Sequence, residues 1–293
     1  MLVVVFSLLG AFFFACRSVV VKVGLQESDP ASATLITSVI NAVSLWVLTI
    51  LFVPFDTFVH PGVIYLGVAG LFAPCLARVF LYTGIEKVGV SVAEPINSTA
   101  PIFAAIGAVL LLHERVTSSI AVATILTVLG VVMLSVSSGS ARRPTEMQWK
   151  KKGVLFSLLA ALFYGVSRVF RKMGMIPEAS PVGGATVIAT TSLLFFGLLL
   201  PLIQRKRKIV VHKKSFFFFS IGGICGSLAM ICILTALKWG DVVIVSPLTG
   251  TTLPLFVLCL TYVFLRKLER ITLRTVVGAS SIVAGVLILT SVS

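Results

Sequence analysis

Long apolar segments recur along this chain and decide what it can fold into. A helix of about 20 apolar residues crosses the roughly 30 Å of hydrocarbon in a bilayer, and a helix satisfies its own backbone there. Ten such segments cover residues 2–23, 32–53, 62–84, 89–111, 118–136, 153–173, 182–203, 216–237, 241–265 and 273–291. The sequence therefore predicts an all-α integral membrane protein with ten transmembrane helices, whose first partner is the lipid bilayer.

The distribution of charge agrees with this class. Of the 293 residues, 58% are hydrophobic and 12% are charged, against about 25% charged in ordinary soluble domains. The net charge is +14, but nearly all the basic residues cluster in short connections between apolar segments, as in positive-inside loops. We therefore expect no nucleic-acid partner.

The same charges predict how the chain is oriented across the membrane. Of the 24 Lys and Arg, 17 lie at the odd-numbered connections, and four lie on the other side: Arg115, Arg171, Lys172 and Lys238. By the positive-inside rule the odd connections are cytoplasmic and both termini lie outside.

An enzyme or a metal protein is not indicated. His60, His113 and His212 are far apart in the sequence, and the five cysteines form no CxxC pair. Without a nucleophile motif or a ligand cluster, we predict no catalytic residue, no metal and no cofactor. A lipid-processing membrane enzyme remains an alternative, and it would need acids, histidines or serines gathered at one interface.

The two halves of the chain resemble each other. "FFFACRSVVVKVG" at 12–24 aligns with "LFYGVSRVFRKMG" at 162–174, and "HERVT" at 113–117 aligns with "LERIT" at 268–272. We predict a first five-helix repeat at 1–136, a polar linker at 137–152 and a second repeat at 153–293. Because five is odd, the second repeat enters the membrane inverted, as in many transporters that work by alternating access.

The fourth segment of each repeat carries helix-breaking residues. The stretches are "EPINSTAP" at 94–101 and "SPLTGTTLP" at 246–254. Pro95, Pro101, Pro247 and Pro254 predict interrupted helices, which in inverted-repeat transporters lie beside the substrate. Simple kinks are the alternative.

Charges inside apolar segments are expensive and mark functional sites. Arg78 and Tyr82 share one helical face, Tyr164 and Arg168 share another, and Glu94 lies deep in the fourth segment. The predicted substrate-binding residues are Arg78, Tyr82, Glu94, Asn97, Ser98, Tyr164, Arg168, Ser246 and Thr249. Several cations suggest a small anionic or zwitterionic substrate.

Other roles for these charges stay open. Arg17 and Arg168 could reach the headgroups, and Arg78 could neutralise Glu94. Alternatively, Glu94 could exchange protons from a poorly solvated cavity and couple transport to a proton gradient.

Small residues and a capped corner predict packing. Ala104 and Ala108, and Gly222 and Gly226, allow close helix contacts within a monomer or between protomers. At the 113–117 corner, the glutamate favours a helix start or an arginine pair, and the threonine can cap the next helix.

With these motifs in view, the chain resembles the EamA-type transporters of the drug/metabolite transporter superfamily. The resemblance rests on the two repeats, the Pro-containing fourth helices, the "HERVT" and "LERIT" corners and the "GVVML" and "GVLIL" runs that follow. It implies a secondary transporter of small polar metabolites, acting as an exporter by alternating access, with both termini cytoplasmic. A lipophilic-cation or drug exporter is the alternative. The simplest home is a prokaryotic inner membrane, with the choice between monomer and homodimer open.

Overall fold

The protein is a bundle of α-helices. The computed structural model describes residues 1–28, 30–88, 90–138, 151–203, 213–264 and 273–292, and these contain no strand. The helices are α1 (Leu2–Gly24), α2 (Pro30–Phe52), α3 (Gly62–Gly70), α4 (Ala77–Val88), α5 (Val90–Asn97), α6 (Ala100–Leu112), α7 (Ser118–Ser138), α8 (Lys151–Gly174), α9 (Pro181–Ile203), α10 (Lys213–Trp239), α11 (Val242–Phe264) and α12 (Leu273–Val292). A short 3-10 turn occupies Phe55–Phe58.

Helices cover every predicted apolar segment, and this confirms an all-helical membrane protein. Among the described residues, seven helical stretches are long and apolar enough to cross a bilayer, one of them running from Gly62 to Ile85 through α3, a π-helical turn and α4. Three shorter apolar helices lie at Ala100–Leu112, Ser118–Met133 and Val277–Ser291. Membrane spans are therefore present, whereas the number ten stays a prediction. Most of the predicted linker, residues 139–150, lies outside the described residues.

The third predicted span, residues 62–84, is interrupted in the middle, which the sequence reading missed. A π-helical turn at Leu71–Leu76 joins α3 to α4, and Ala73 inside it is extended, with φ −148° and ψ 132°. Pro74 explains the break, because proline disfavours helical geometry in the residue before it and cannot donate a backbone bond. The freed carbonyls of Ala69 and Ala73 accept hydrogen bonds from Ser167 Oγ on α8 (2.9 and 3.3 Å).

The two proline-rich stretches differ from each other. The first is interrupted between α5 and α6, where the Thr99 hydroxyl donates to the Ile96 carbonyl (2.7 Å) and Pro101 lies in the first turn of the next helix. The second is not interrupted, because α11 continues from Val242 to Phe264 with Pro247 and Pro254 inside it. The expected break at these two prolines is wrong.

Threonines of α11 make their hydrogen bonds within their own helix. The hydroxyl of Thr249 donates to the Val245 carbonyl (2.8 Å), and that of Thr251 donates to Pro247. Such bonds to the preceding turn satisfy a hydroxyl where no water is available. The hydroxyl run is therefore compatible with a continuous helix.

The two halves of the chain interlock. α1 packs against α10 and α11 of the second half, α8 packs against α3, α4 and α6 of the first, and α7 packs against α12. Gly222 faces Val21 of α1, and a Cβ atom added to it would lie 2.7 Å from the Val21 side chain. Ala104 is buried beside Gly165. Both small-residue pairs therefore serve contacts within the monomer.

A row of aromatic rings fixes α8 against the third span. Phenylalanines recur every seven residues along one face of α8, so their rings can intercalate with those of a neighbouring helix. The stacked pairs are Tyr65–Phe170, Phe72–Phe170, Phe72–Phe163 and Phe80–Phe156, with ring centroids 5.6 to 6.3 Å apart. Each such pair adds about 0.5–1.5 kcal/mol beyond area burial. This contact sets the rotation of α8 and hence where its polar face points.

Candidate functional site

A cavity of about 490 Å³ is lined by helices from both halves of the chain. Its volume lies in the range of small-molecule sites. The predicted residues that line it are Arg78, Asn97, Ser98, Pro101, Tyr164, Arg168, Thr249 and Pro254. Sequence reasoning therefore identified residues that the fold brings together from five helices and the turn between α5 and α6.

Other predicted residues lie elsewhere. Ser246 is buried behind the cavity wall and contacts a lining arginine, and Pro247 is buried within α11 and does not line the cavity. The side chains of Tyr82, Glu94 and Pro95 lie outside the described residues. The proposed Arg78–Glu94 pair therefore stays a prediction.

Arg168 is held in the cavity wall. One guanidinium nitrogen, Nη1, donates to the Ser246 hydroxyl and also lies 3.4 Å from the Ser246 carbonyl oxygen. A Cβ atom at Gly250 would lie 3.1 Å from the other nitrogen, Nη2, so the glycine leaves room for the planar group. This side chain lines the cavity and is held there by Ser246, which argues against the snorkelling alternative.

Arg171 was wrongly assigned to a connection. It is 8% exposed and lines the cavity one helical turn after Arg168. Its Nη2 donates to the Ala73 carbonyl (3.1 Å), which the break in the third span leaves without a helical partner. Its Nε finds no hydrogen-bond partner among the described atoms. The spacing of three residues from Arg168 was the signal that could have revealed it.

Arg17 also lines the cavity, from α1. Its Nη2 lies 3.4 Å from the Thr37 hydroxyl of α2. A Cβ atom at Gly226 would lie 3.0 Å from Arg17 Nη1 and 3.0 Å from Asn41 Nδ2, so this glycine forms the floor under both groups. Asn41 and Thr37 were not singled out from the sequence, because single polar residues are common in transmembrane helices.

The wall of the cavity is strongly cationic. Four arginines line it, at positions 17, 78, 168 and 171, and no Asp or Glu among the described side chains does. Within the described part of the chain the Arg78 guanidinium makes no hydrogen bond to another protein group. The described side chains of this wall therefore carry an excess of positive charge. Such a field attracts an anion and repels a cation.

A second charged arrangement lies at the helix end after α6. Both carboxylate oxygens of Glu114 accept backbone N–H bonds at the start of α11, from Val242 and Val243 (3.0 Å each). Lys172 Nζ donates to the carbonyls of Leu237 and Gly240 at the end of α10 (2.9 Å each). These two side chains therefore clamp the α10–α11 corner from outside.

The predicted capping role of this corner is confirmed in part. Thr117 accepts the backbone N–H of Ile120 (3.3 Å) and so caps α7. Glu114 caps a helix of the other half of the chain, where the sequence suggested its own helix or an arginine pair. The matching corner at 265–272 lies outside the described residues.

The burial of Glu114 in this clamp makes the stability of the folded protein depend on pH. Burial raises the pKa of the Glu114 carboxyl above its ordinary 4.5, and Asp241 adds to this, while the Val242 and Val243 N–H groups and Lys172 oppose it. The folded protein then binds more protons than the unfolded chain between 4.5 and the raised value, so stability falls as pH rises through that window. We expect the thermal midpoint of wild type, relative to Glu114→Gln, to decline as the pH is raised above 4.5.

Thermal melts of both proteins across that range check this. Glu178→Gln, at an exposed position, is the matched control and should leave the pH profile of wild type unchanged. A wild-type advantage over Glu114→Gln that grows with pH would contradict the burial effect.

Comparisons with known proteins bear on the same architecture. The model of the EamA-like transporter family matches twice, over residues 1–136 and 151–291. A solved protein described only as "Crystal structure of protein" superposes with a TM-score of 0.82 at 15% identity, covering 99% of this chain and 96% of the other. No curated protein matches the chain. At this identity the superposition shows the fold alone.

Proposed function

Since this chain belongs to the EamA-like transporter family, we propose that it is a secondary transporter that exports a small anionic or zwitterionic metabolite by alternating access. Amino acids and organic acids are the substrate classes that fit. The proposed membrane is the inner membrane of a prokaryote. The chain as a whole is a membrane transporter of the drug/metabolite transporter superfamily, with small-molecule transport as its activity.

The excess of arginine in the cavity carries this proposal. Burying charge in a poorly solvated bundle is costly, so arginines that line such a cavity are retained where they have a function. Guanidinium groups bind carboxylates and phosphates through paired hydrogen bonds. A bound anion would supply the counter-charge that the described side chains lack.

Neutral polar groups complete the proposed site. Asn97, Ser98, Tyr164 and Thr249 line the same cavity and offer both donors and acceptors. Tyr82 and Glu94 belong to the proposed set on the sequence argument, and a carboxylate there would suit the ammonium group of a zwitterion. Ser246 acts through Arg168, whose guanidinium it holds.

The interlocking of the halves supports alternating access. The first helix of each half packs into the opposite half, and both helices bring arginines to the shared cavity. Rocking one repeat against the other would then open the cavity to each side in turn. The break at residues 98–99 lies beside the cavity, where such folds place it.

Ligand-induced thermal stabilisation of detergent-purified protein tests the substrate class. A ligand that binds only the folded state raises the midpoint by mass action. We expect amino acids, organic acids or sugar phosphates to raise it and lipophilic cations to leave it unchanged. Counterflow of the stabilising compound in proteoliposomes would then show transport.

Two results would overturn the proposal. Stabilisation by lipophilic cations alone would indicate a drug-type exporter. Chemical conversion of a bound compound without movement across the vesicle membrane would indicate a membrane enzyme instead.

Protons are the proposed coupling ion, with Glu94 as the group that carries them. Its counterpart in the second repeat is Ser246, which cannot titrate, so coupling would depend on one residue. In proteoliposomes with an imposed pH gradient, we expect gradient-driven transport to be lost in Glu94→Gln while counterflow persists. If Glu94→Gln responds to the gradient as wild type does, Glu94 is not the coupling group.

A further inference from the structure

We infer that the clamp formed by Glu114 and Lys172 holds one end of the cavity closed, and that it has to open once in each transport cycle. The structure is then the state in which the cavity is open at the opposite end of the bundle. This inference deepens the proposed function and rests on it, because alternating access requires the closed end to open. Neither residue lines the cavity, so their role is separate from substrate binding.

The clamp lies at the end of the bundle where α6, α8 and α10 end and where α11 begins. The start of α1 lies there as well, because α1 and α10 pack antiparallel. A Cβ atom at Gly10 would lie 2.7 Å from the Ile233 side chain, and one at Gly24 would lie 2.6 Å from that of Phe219. We call this the clamp end of the bundle.

The cavity extends to one end of the bundle and stops short of the clamp end. On α1, α10 and α11, the lining residues nearest the clamp end are Phe14, Ile233 and Thr249. Each lies at least six residues from the helix terminus at that end, which is about 9 Å of helix or more at roughly 1.5 Å per residue. On α8 the lining comes closer, to Arg171. At the other end it reaches Leu25, just after α1, and Ala33, in the first turn of α2.

An apolar layer separates the cavity from the clamp end. Its side chains belong to the α10–α11 corner and are 0 to 1% exposed: Leu237, Val242, Val243 and Val245. Val3 and Val4 of α1 pack against the same cluster. The hydrophobic effect that gathers these side chains is not directional, so the position of the corner is fixed by the polar bonds made to it.

The clamp joins two groups of helices that contribute to different parts of the cavity wall. Glu114 and Lys172 belong to α6 and α8, which pack with α3 and α4, whereas the corner that they hold belongs to α10 and α11, which pack with α1. Glu114 accepts two N–H bonds from α11, and Lys172 donates to two carbonyls of α10, at 2.9 or 3.0 Å in all four bonds. Moving the groups apart at this end must therefore break all four bonds.

The four bonds can be exchanged for bonds to water. Both side chains are half-buried and lie at helix ends, so water can replace the partner groups when the corner moves away. Loss of one hydrogen bond to a charged group shifts the ratio of two states by about tenfold or more. The clamp therefore favours the present state without making it permanent.

Distances between paired spin labels test the inference on full-length, ligand-free protein in lipid nanodiscs. Labels at Arg115→Cys and Trp239→Cys span the clamp end, on the α6 side and the α10 side, and both positions are exposed. Labels at Gln26→Cys and Lys152→Cys, also exposed, span the other end between α1 and α8. The five native cysteines are replaced by alanine in all of these proteins.

Two variants open the clamp separately. Glu114→Gln puts an amide N–H group where one carboxylate oxygen accepted a backbone N–H, and Lys172→Met removes both bonds to the α10 carbonyls. In each, we expect the ratio of molecules with the clamp end apart to those with it closed to rise about tenfold or more, and the distance at the other end to shorten. Lys172→Arg keeps the donor and should stay near wild type.

Glu178→Gln is the matched control for Glu114→Gln. It makes the same chemical change at an exposed position of the clamp end, in the connection between α8 and α9. Both label distances should keep their wild-type distributions. A shift as large as that of Glu114→Gln would mean that loss of any negative charge at this end opens it, and the clamp inference would be wrong.

The outcomes separate this inference from the proposed function. If Glu114→Gln and Lys172→Met both melt cooperatively and keep the wild-type distances, the two residues are ordinary helix caps and the inference is wrong, while the transporter proposal stands. Opening of the clamp end without closure of the other end also contradicts it, because the corner then only frays. If the distances change as expected but no stabilising compound shows counterflow, the clamp is a conformational switch and the proposed function is wrong.

Discussion

Replacing Arg168 with glutamine is expected to weaken binding of the anion that stabilises wild-type protein by about ten- to hundredfold, the value of a charge-assisted hydrogen bond. The stability of the ligand-free protein should stay near that of wild type or rise. The variant removes one of two like charges spaced by three residues on α8, and the loss of that repulsion offsets the lost bond to Ser246. Titration and thermal melts with and without ligand measure both effects.

Two further variants test the role expected for Arg168. Arg115→Gln removes an exposed arginine from a loop and should change neither quantity. Arg168→Lys keeps the charge but loses the planar fork, so binding should recover only in part. A large drop in the midpoint of ligand-free Arg168→Gln, with ligand affinity retained, would instead make Arg168 a structural residue.

Introducing a methyl group between α7 and α12 is expected to destabilise the folded protein. A Cβ atom at Gly130 would lie 2.6 Å from the backbone carbonyl oxygen of Gly278, so the helices must separate. Overpacking of this kind costs about 1–3 kcal/mol. The thermal midpoint and the denaturant midpoint of Gly130→Ala should both fall.

Gly197→Ala is the matched control for this effect. It makes the same chemical change in α9 with open space around the new methyl group, so only the gain in helix propensity of up to about 1 kcal/mol remains. The Gly197 variant should therefore be as stable as wild type or more stable. Equal destabilisation of the two variants would mean that close approach of α7 and α12 is not the cause.

The helices were predictable because the bilayer requires long apolar segments and the chain has few charges. Interruptions within these helices were harder to predict. Pro74 and Pro247 are both prolines inside an apolar segment, yet the helix is broken beside the first and continues through the second. Proline removes one donor in both cases, and the surrounding packing decides whether the helix bends or opens.

Part of the site could be found because polar residues stand out in an apolar background. Asn97, Tyr164 and Arg168 were identified in this way. Arg171 was missed because it is close to a helix end, where arginine usually reaches the interface. Whether the Arg171 side chain points to the interface or into the cavity depends on the Ala73 carbonyl, which is 98 residues away in sequence.

Contacts between the halves are the least predictable from local sequence. The motif "HERVT" suggested a cap for Glu114, but the helix that it caps starts 128 residues later. A capping residue is normally recognised in a sequence because it directly precedes the helix that it caps. A residue that caps a helix elsewhere in the chain has no such local signature. Only the packing of α6 against α8 and α11 of the second half reveals it.

The packing of α1 against α10 and α11 also constrains the order in which the protein assembles during synthesis. The ribosome delivers α1 roughly 190 residues before α10, which at about 5–20 residues per second is on the order of ten to forty seconds. During that time the Arg17 side chain can meet Thr37 and Asn41 of α2, but not Gly226 of α10. The surroundings of Arg17 are therefore completed only when the C-terminal half of the nascent chain has been made.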